Sequence, residues 1–162
     1  MNDNEVIREE LFKSVSGLSD EQLNQKPSDD EWSIMQVLEH LYLMESAVAK
    51  SITAQVEKGK INPAEDKPIH LTPNRLTKVS APSYVVPSVE PKSLEEMKGK
   101  LAASRELLNQ AAAAGDPIIM EKKSFPHPVF GDLSLKQWVP FVGYHEKRHI
   151  HQIEEIKHRL EE

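Results

Sequence analysis

Between Lys60 and Pro91 the chain carries six prolines, Pro63, Pro68, Pro73, Pro82, Pro87 and Pro91, and this stretch constrains the fold more than any other. A proline has no amide hydrogen and its ring collides with the preceding helical turn, so helix is excluded over most of the segment. On both sides apolar residues recur at helical spacing. The helical material therefore falls into two blocks joined by a long irregular connection. Connections of that length inside a compact domain tend to carry a function or act as a lid. "KVSAPSYVVPSV" is expected to form short extended pieces lying across the helices, because Tyr84, Val85 and Val86 are too apolar for a free linker.

The first helix is expected at about 3–16, where Val6, Leu11, Phe12 and Val15 make a stripe and Gly17 supplies a stop. A short turn of helix follows, with Ser19 as cap and Gln22 three residues on. The second helix opens at "EWSIMQV": Ser33 and Gln36 have the spacing of a capping box, Trp32 and Val37 that of a hydrophobic staple. Its stripe runs Ile34, Val37, Leu38, Leu41, Met44, Val48, Ile52 and ends near residue 58. The third helix, about 93–114, starts with a further capping box, Ser93 and Glu96, and stops at Gly115. "FPHPVFGDLSLKQW" reads as a loop into the fourth helix, where Ser134, Gln137, Leu133 and Trp138 repeat the cap-and-staple pattern. Pro140 means either a bend in that helix or a long helix that begins with Pro140 in its first turn. The result is an all-α single domain over residues 1–162, a four-helix bundle with a long proline-rich crossover between the second and third helices.

A chain of 162 residues is long enough for one real core. Its net charge of −6 argues against nucleic acid as a partner, since phosphate binding needs a concentrated basic surface. There is no cysteine, which removes disulfides, thiolate ligands and a thiol nucleophile together and leaves imidazole and carboxylate as metal ligands. "MNDNEVIREE" has no apolar signal core, and no apolar run approaches the ~20 residues needed to span a bilayer. A cytoplasmic protein without a membrane partner is the expectation.

The fourth helix contains "YHEKRHIHQI". At the α-helical step of about 100° per residue, His145 and His149 fall on nearly one line, with Trp138, Val142, Ile153, Ile156 and Leu160 on the same side. His151 and His158 project to the far side. Two histidines a turn apart can ligate one metal ion, but two ligands rarely suffice. His40, in "VLEHLYLM", lies at the edge of the second helix's stripe and completes a set of three if the two helices are neighbours. The same spacing also suits hydrogen-bonded core histidines, and the residues alone leave both readings open.

Other residues near the histidine line carry paired readings. Gln152 can hydrogen-bond a ligand or a metal-bound water, or sit at a helix seam. Arg148 can hold an anionic substrate group or make a surface salt bridge. Met44 and Trp138 suit packing, or the wall of a substrate pocket. Glu39 and Glu146 point away from the stripe and suit a general base poorly. His70 and His127 fall in loops and read as structural or incidental. Tyr84 is a candidate to close over the site.

"EWSIMQVLEHL", followed much later by "HPVFGDLSLKQWVPFVGYHEKRHIHQI", resembles the DinB-like (YfiT-type) helical family. The anchors are tryptophan–serine opening the second helix with a histidine seven residues after the serine, and the late H-x3-H followed by glutamine. The likeness runs from about residue 5 to 158. It implies an up-down-down-up bundle with a divalent metal, nickel or zinc in different relatives, on His40, His145 and His149. Relatives include thiol-dependent transferases and an isomerase using bacillithiol or mycothiol. The resemblance thus implies a metal-dependent transferase joining a low-molecular-weight thiol of the bacillithiol type to an electrophilic small molecule. A hydrolase using metal-activated water is the rival, and a non-catalytic metal-stabilised binding or stress-response module is the third reading. Such bundles often pair, so a homodimer is expected.

Overall fold

The computed structural model describes residues 2–74 and 83–161. Four long helices form the bundle: α1 (Asp3–Val15), α3 (Ile34–Lys58), α4 (Leu94–Ala114) and α6 (Leu135–Leu160). A short helix, α2 (Asp20–Asn24), joins α1 to α3. Another, α5 (Pro117–Lys122), and a hairpin of β1 (Ser124–His127) and β2 (Gly131–Ser134) join α4 to α6.

Cap chemistry sets most of the helix starts. Ser19 with Gln22 and Ser33 with Gln36 form complete capping boxes, each satisfying amides at both ends of the motif. The two later boxes close only halfway. Ser93 and Ser134 accept from Glu96 and Gln137, and at Ser134 a tertiary partner takes the side chain that would complete the box. The Gln137 amide bridges both backbone groups of Lys67, and Leu94, one residue past the Ser93 cap, donates to Asp20. Helix α6 runs through Pro140 unbroken, with the proline inside it. Its missing amide leaves only the carbonyl of exposed Lys136 without an intrahelical donor.

Named contacts fix the helix directions. Asn4, Arg8 and Ser14 of α1 meet Val139, Glu146 and Glu154 of α6 in that order, so these helices are parallel. They approach closely at Gly143, where a Cβ would lie 2.2 Å from the Asn4 Oδ1, so that side chain would have to move to admit one. Lys92 just before α4 reaches Glu39, and Ser104 reaches Glu45, so α3 and α4 are parallel too. His40 near the start of α3 meets His145 deep in α6, and Ile52 near its end shares a core with Leu135, so that pair is antiparallel. The order is up-down-down-up. A parallel α3–α4 pair obliges the connection to return along the whole of α3, about 37 Å at 1.5 Å per residue. That is the physical reason for the long proline-rich crossover.

Of the extended pieces expected in 78–89, residues 78–82 lie outside the described residues, and Ser83–Val85 form a single 3-10 turn on α3. A second 3-10 turn spans Ile69–Leu71. The stretch before α6, read from sequence as a loop, contains the hairpin. Its register pairs Phe125 with Leu133 and His127 with Gly131. Gly131 takes φ +72°, the left-handed conformation that closes a three-residue hairpin loop. Pro126 and Pro128 hid the strand from a pattern reading, because proline is confined to sheet edges and a two-stranded hairpin is all edge.

Two apolar clusters fill the bundle. One gathers Leu11, Val15, Leu23, Ile34, Leu38, Leu41, Leu101 and Ile153. The other gathers Val48, Ile52, Leu108, Leu133, Leu135, Trp138 and Phe141. Between them lies a polar layer. Glu45 separates Leu41 from Val48 on α3, and Ser104 separates Leu101 from Leu108 on α4. His145, Glu146 and His149 separate Val142 from Ile150 on α6, and all these polar residues are buried.

Candidate metal centre

Helices α3 and α6 bring His40, His145 and His149 together across the antiparallel seam. All three are buried. Each offers a ring nitrogen, and the three nitrogens lie within 4.8 Å of one another. The His145 Nε2 is 3.2 Å from the Nε2 of both His40 and His149. Nitrogens bound tetrahedrally at about 2.0–2.1 Å from one metal ion would be about 3.3 Å apart, so the spacing fits. His151 and His158 face solvent.

Proton placement strengthens the fit. The His40 Nδ1 lies 2.8 Å from the Val85 carbonyl, which can only accept, so Nδ1 carries the hydrogen and Nε2 offers a lone pair. The His149 Nδ1 lies 2.7 Å from the Gln152 Oε1, which fixes the same tautomer. Two lone pairs therefore converge on the His145 Nε2, and a single hydrogen there can satisfy only one of them. A cation satisfies all three nitrogens. Burial pushes the His40 imidazole below its ordinary value, against the Val85 carbonyl. It pushes His145 well below, helped by His149 and His40. Neutral rings are the form that binds metal.

A linkage prediction follows for the metal-free protein. Histidines whose folded pKa is lowered bind fewer protons folded than unfolded, so stability falls as pH drops from about 6.5. For His127, which burial lowers to about 4, that loss develops between those two values. Calorimetry of chelator-treated protein should show the melting temperature falling steadily over that window, and a flat profile would contradict the neutral assignment.

The remaining expected site residues divide. Gln152 is at the cluster, as the acceptor that orients His149. Removing such outer partners typically costs metal sites 10–100-fold in affinity. Gln152→Ala is expected to weaken zinc binding by about that factor in a competition titration, and an unchanged affinity would remove Gln152 from the site. Arg148 instead spans the crossover, donating to the carbonyls of Thr72 and Asn74. Trp138 stacks on Phe125 with centroids 4.2 Å apart and donates from Nε1 to the Phe125 carbonyl. Met44 is only partly buried and packs on the cluster of Val48, Ile52 and Trp138. The stripe of α3 passes through Glu45 beside it, which is 1% exposed. Tyr84 is exposed.

Two residues the sequence left aside border the cluster. Trp32 lies 5.1 Å from His40 and Phe141 5.8 Å from His145, ring centre to ring centre, so the histidines are walled by aromatics. Glu39 pairs with Lys92. Glu146 does turn away from the histidines, but into the bundle and not to solvent. Arg8 donates to it from Nε and Nη2 at 3.0 and 2.9 Å. Arg8 also reaches Glu45 and the Leu101 carbonyl, and Arg105 reaches Glu45 from α4. Burial raises the Glu146 carboxyl against the pull of Arg8 and Arg105. One buried ion network thus touches all four bundle helices directly behind the histidines. Its sequence signal was an acidic residue at 45, in step with Leu41, Val48 and Ile52.

Comparison with known proteins agrees with this architecture. The DinB superfamily model matches residues 4–153. The chain is 41% identical over 154 residues to YuaE of Bacillus subtilis (strain 168), itself uncharacterized, covering 95% of this chain and 94% of that one. The four-helix bundle protein TT2238 superposes with a TM-score of 0.63 at 22% identity, covering 94% of this chain and 93% of its own. YfiT from Bacillus subtilis, described as a probable metal-dependent hydrolase with an unusual four-helix bundle topology, gives 0.61 at 18% identity, covering 98% and 84%. Among the described residues no helix is long and apolar enough to cross a membrane. With the family model spanning nearly the whole chain and a full-length relative at this identity, the chain belongs to the DinB superfamily.

Proposed function

We propose that His40, His145 and His149 hold a divalent metal ion, zinc or nickel, and that the protein is a metal-dependent enzyme acting on a small molecule in the cytoplasm. The observation that carries this is the convergence of three buried ring nitrogens, that of His145 lying 3.2 Å from the other two, which have lone pairs aimed inward by Val85 and Gln152. When bound, such a metal supplies a Lewis acid that acidifies a neighbouring water or thiol. The chain's own residues fix the donor tautomers, and the aromatic rings of Trp32 and Phe141 limit water around the site.

Thiol transfer is the preferred reaction. The buried carboxylates nearest in sequence to the ligands, Glu39 and Glu146, are committed to Lys92 and Arg8, so neither serves as a general base. A thiol, with an ordinary pKa near 8.5, needs much less help to ionise than water does. In this reaction a sulfur–carbon bond forms, the bond from carbon to its leaving group breaks, and the thiol proton passes to solvent. Hydrolysis is the second reading, favoured by the description of YfiT.

Elemental analysis of untagged protein tests the metal. A panel of bacillithiol-type thiols with a generic electrophile, with and without added zinc or nickel, tests the reaction. Conjugation that needs both metal and thiol supports the transferase. Metal-dependent ester cleavage without thiol moves the assignment to hydrolase. Bound metal with neither activity leaves a metal-stabilised binding module.

A further inference from the structure

The crossover is fastened to both histidine-bearing helices at residues next to the ligands. On α3 the residue before His40 is Glu39, and on α6 the residue before His149 is Arg148. Glu39 pairs with Lys92 at 3.1 Å and accepts from the Ser88 hydroxyl at 3.4 Å. Lys92 also donates to the Ser88 Oγ at 2.6 Å. One turn earlier on α3, the Gln36 Nε2 donates to the Ser88 carbonyl at 3.2 Å. On the other arm, Arg148 holds the Thr72 and Asn74 carbonyls. Apolar anchors accompany these bonds. Ile69 is buried on the first arm, and Val85 and Pro87 on the second, while Tyr84 and Val86 face outward.

Val85 is where the second arm meets the metal site. Its carbonyl accepts from the His40 Nδ1 at 2.8 Å. When the Nε2 of the same ring holds a cation, the Nδ1–H becomes a charge-assisted donor, and such bonds are roughly twice as strong as neutral ones. Lifting the turn Ser83–Val85 from α3 takes that acceptor away. Outer partners of this kind are worth about 10–100-fold in metal affinity. Linkage is reciprocal, so whatever the seated turn adds to metal affinity, bound metal adds to the seating of the turn.

We propose that residues 84–92 form a metal-sensitive strap: the segment seats firmly on α3 when the three histidines hold a cation, and loosens when they do not. Val85 couples the strap to His40, and Gln36, Glu39 and Lys92 fasten it without being ligands themselves. Occupancy of the buried site is thereby passed to the outer surface, where Tyr84 and Val86 lie. The proposal rests on the metal reading above.

Chymotrypsin acting on the full-length protein reads the strap. Cleavage after the exposed Tyr84 requires the neighbouring residues to lift from α3, so its rate follows the population of the open form. Cleavage after Phe130, in the hairpin loop, is the comparison. Saturating zinc should slow the cut after Tyr84 by about 10–100-fold and the cut after Phe130 far less. His145→Ala should show no zinc effect at Tyr84. Gln36→Glu keeps the acceptor for the Ser33 amide but loses the donor to the Ser88 carbonyl. It should speed the cut after Tyr84 by about threefold to tenfold, the worth of one hydrogen bond. Val85→Gly removes the apolar anchor without adding a charge or a ligand, and should weaken zinc binding in a competition titration by about 10–100-fold. Should that variant fail to fold, the wild-type cleavage rates still decide. Equal rates after Tyr84 with and without zinc, equal slowing at both sites, or wild-type zinc affinity in Val85→Gly overturns the strap. Zinc content of the same samples keeps the readings apart. Wild type that takes up no zinc defeats the metal centre and the strap together, whereas zinc bound with an unchanged cut after Tyr84 defeats only the strap.

Discussion

Replacing His145 with alanine is expected to abolish metal binding. His145 is the central member of the cluster, its Nε2 3.2 Å from both other ring nitrogens, so its loss leaves two donors on different helices with nothing between them. Outer partners alone are worth about 10–100-fold in affinity, and a direct ligand should cost more than that upper figure. The clearest readout is thermal. Metal binding at a hundredfold excess over Kd stabilises a protein by about 2.7 kcal/mol, and that rise should vanish in His145→Ala. Without metal the variant should melt close to the wild type, because removing the ring also removes the lone-pair crowding. A variant that still gains stability from zinc would end the three-histidine assignment.

Arg8→Met is expected to destabilise the fold by about 3–5 kcal/mol, the usual cost of leaving a buried charge uncompensated. The guanidinium holds Glu146 through two bonds, Glu45 through a third and the Leu101 carbonyl through a fourth. Once it is gone, Arg105 faces two buried carboxylates, and its Nη2 is 3.6 Å from Glu146. Against a total stability of about 5–15 kcal/mol this is a large fraction. Urea unfolding would measure it. Adding Glu146→Gln should return part of the loss, because it removes one of the stranded charges. A loss below about 1 kcal/mol would mean the network is solvated and not part of the core.

The two predictions share a structural cause. Glu146 follows His145 directly, and the two side chains leave α6 in different directions, one toward α3 and the other toward α1 and α4. The ion network therefore backs the segment of α6 that presents the histidines. It holds four helices at one level of the bundle, where the apolar core is interrupted. A polar layer is an expensive way to join helices, and its position directly behind the ligands argues that it sets their separation.

Much of this was legible along the chain. The four helices, the caps at Ser19 and Ser33, the split of the histidines on α6 and the crossover after α3 follow from periodicity, capping and proline chemistry, which are local. His40, His145 and His149 could be named because each sits on or beside a stripe that must face inward. The half-closed box at Ser134 was not legible, because Lys67 lies far away in sequence and takes the Gln137 side chain.

What the sequence determined alone is which faces are buried and where helices begin, since both depend on residues within one or two turns of each other. What only the tertiary structure decided is which buried polar groups meet. The 3.2 Å spacing of the ring nitrogens and the tautomers set by Val85 and Gln152 belong to that class, as does the pairing of Arg8 with Glu45 and Glu146. Distances across a helix seam depend on rotations and offsets of whole helices. Those are fixed by the sum of all packing contacts, and no local pattern encodes them.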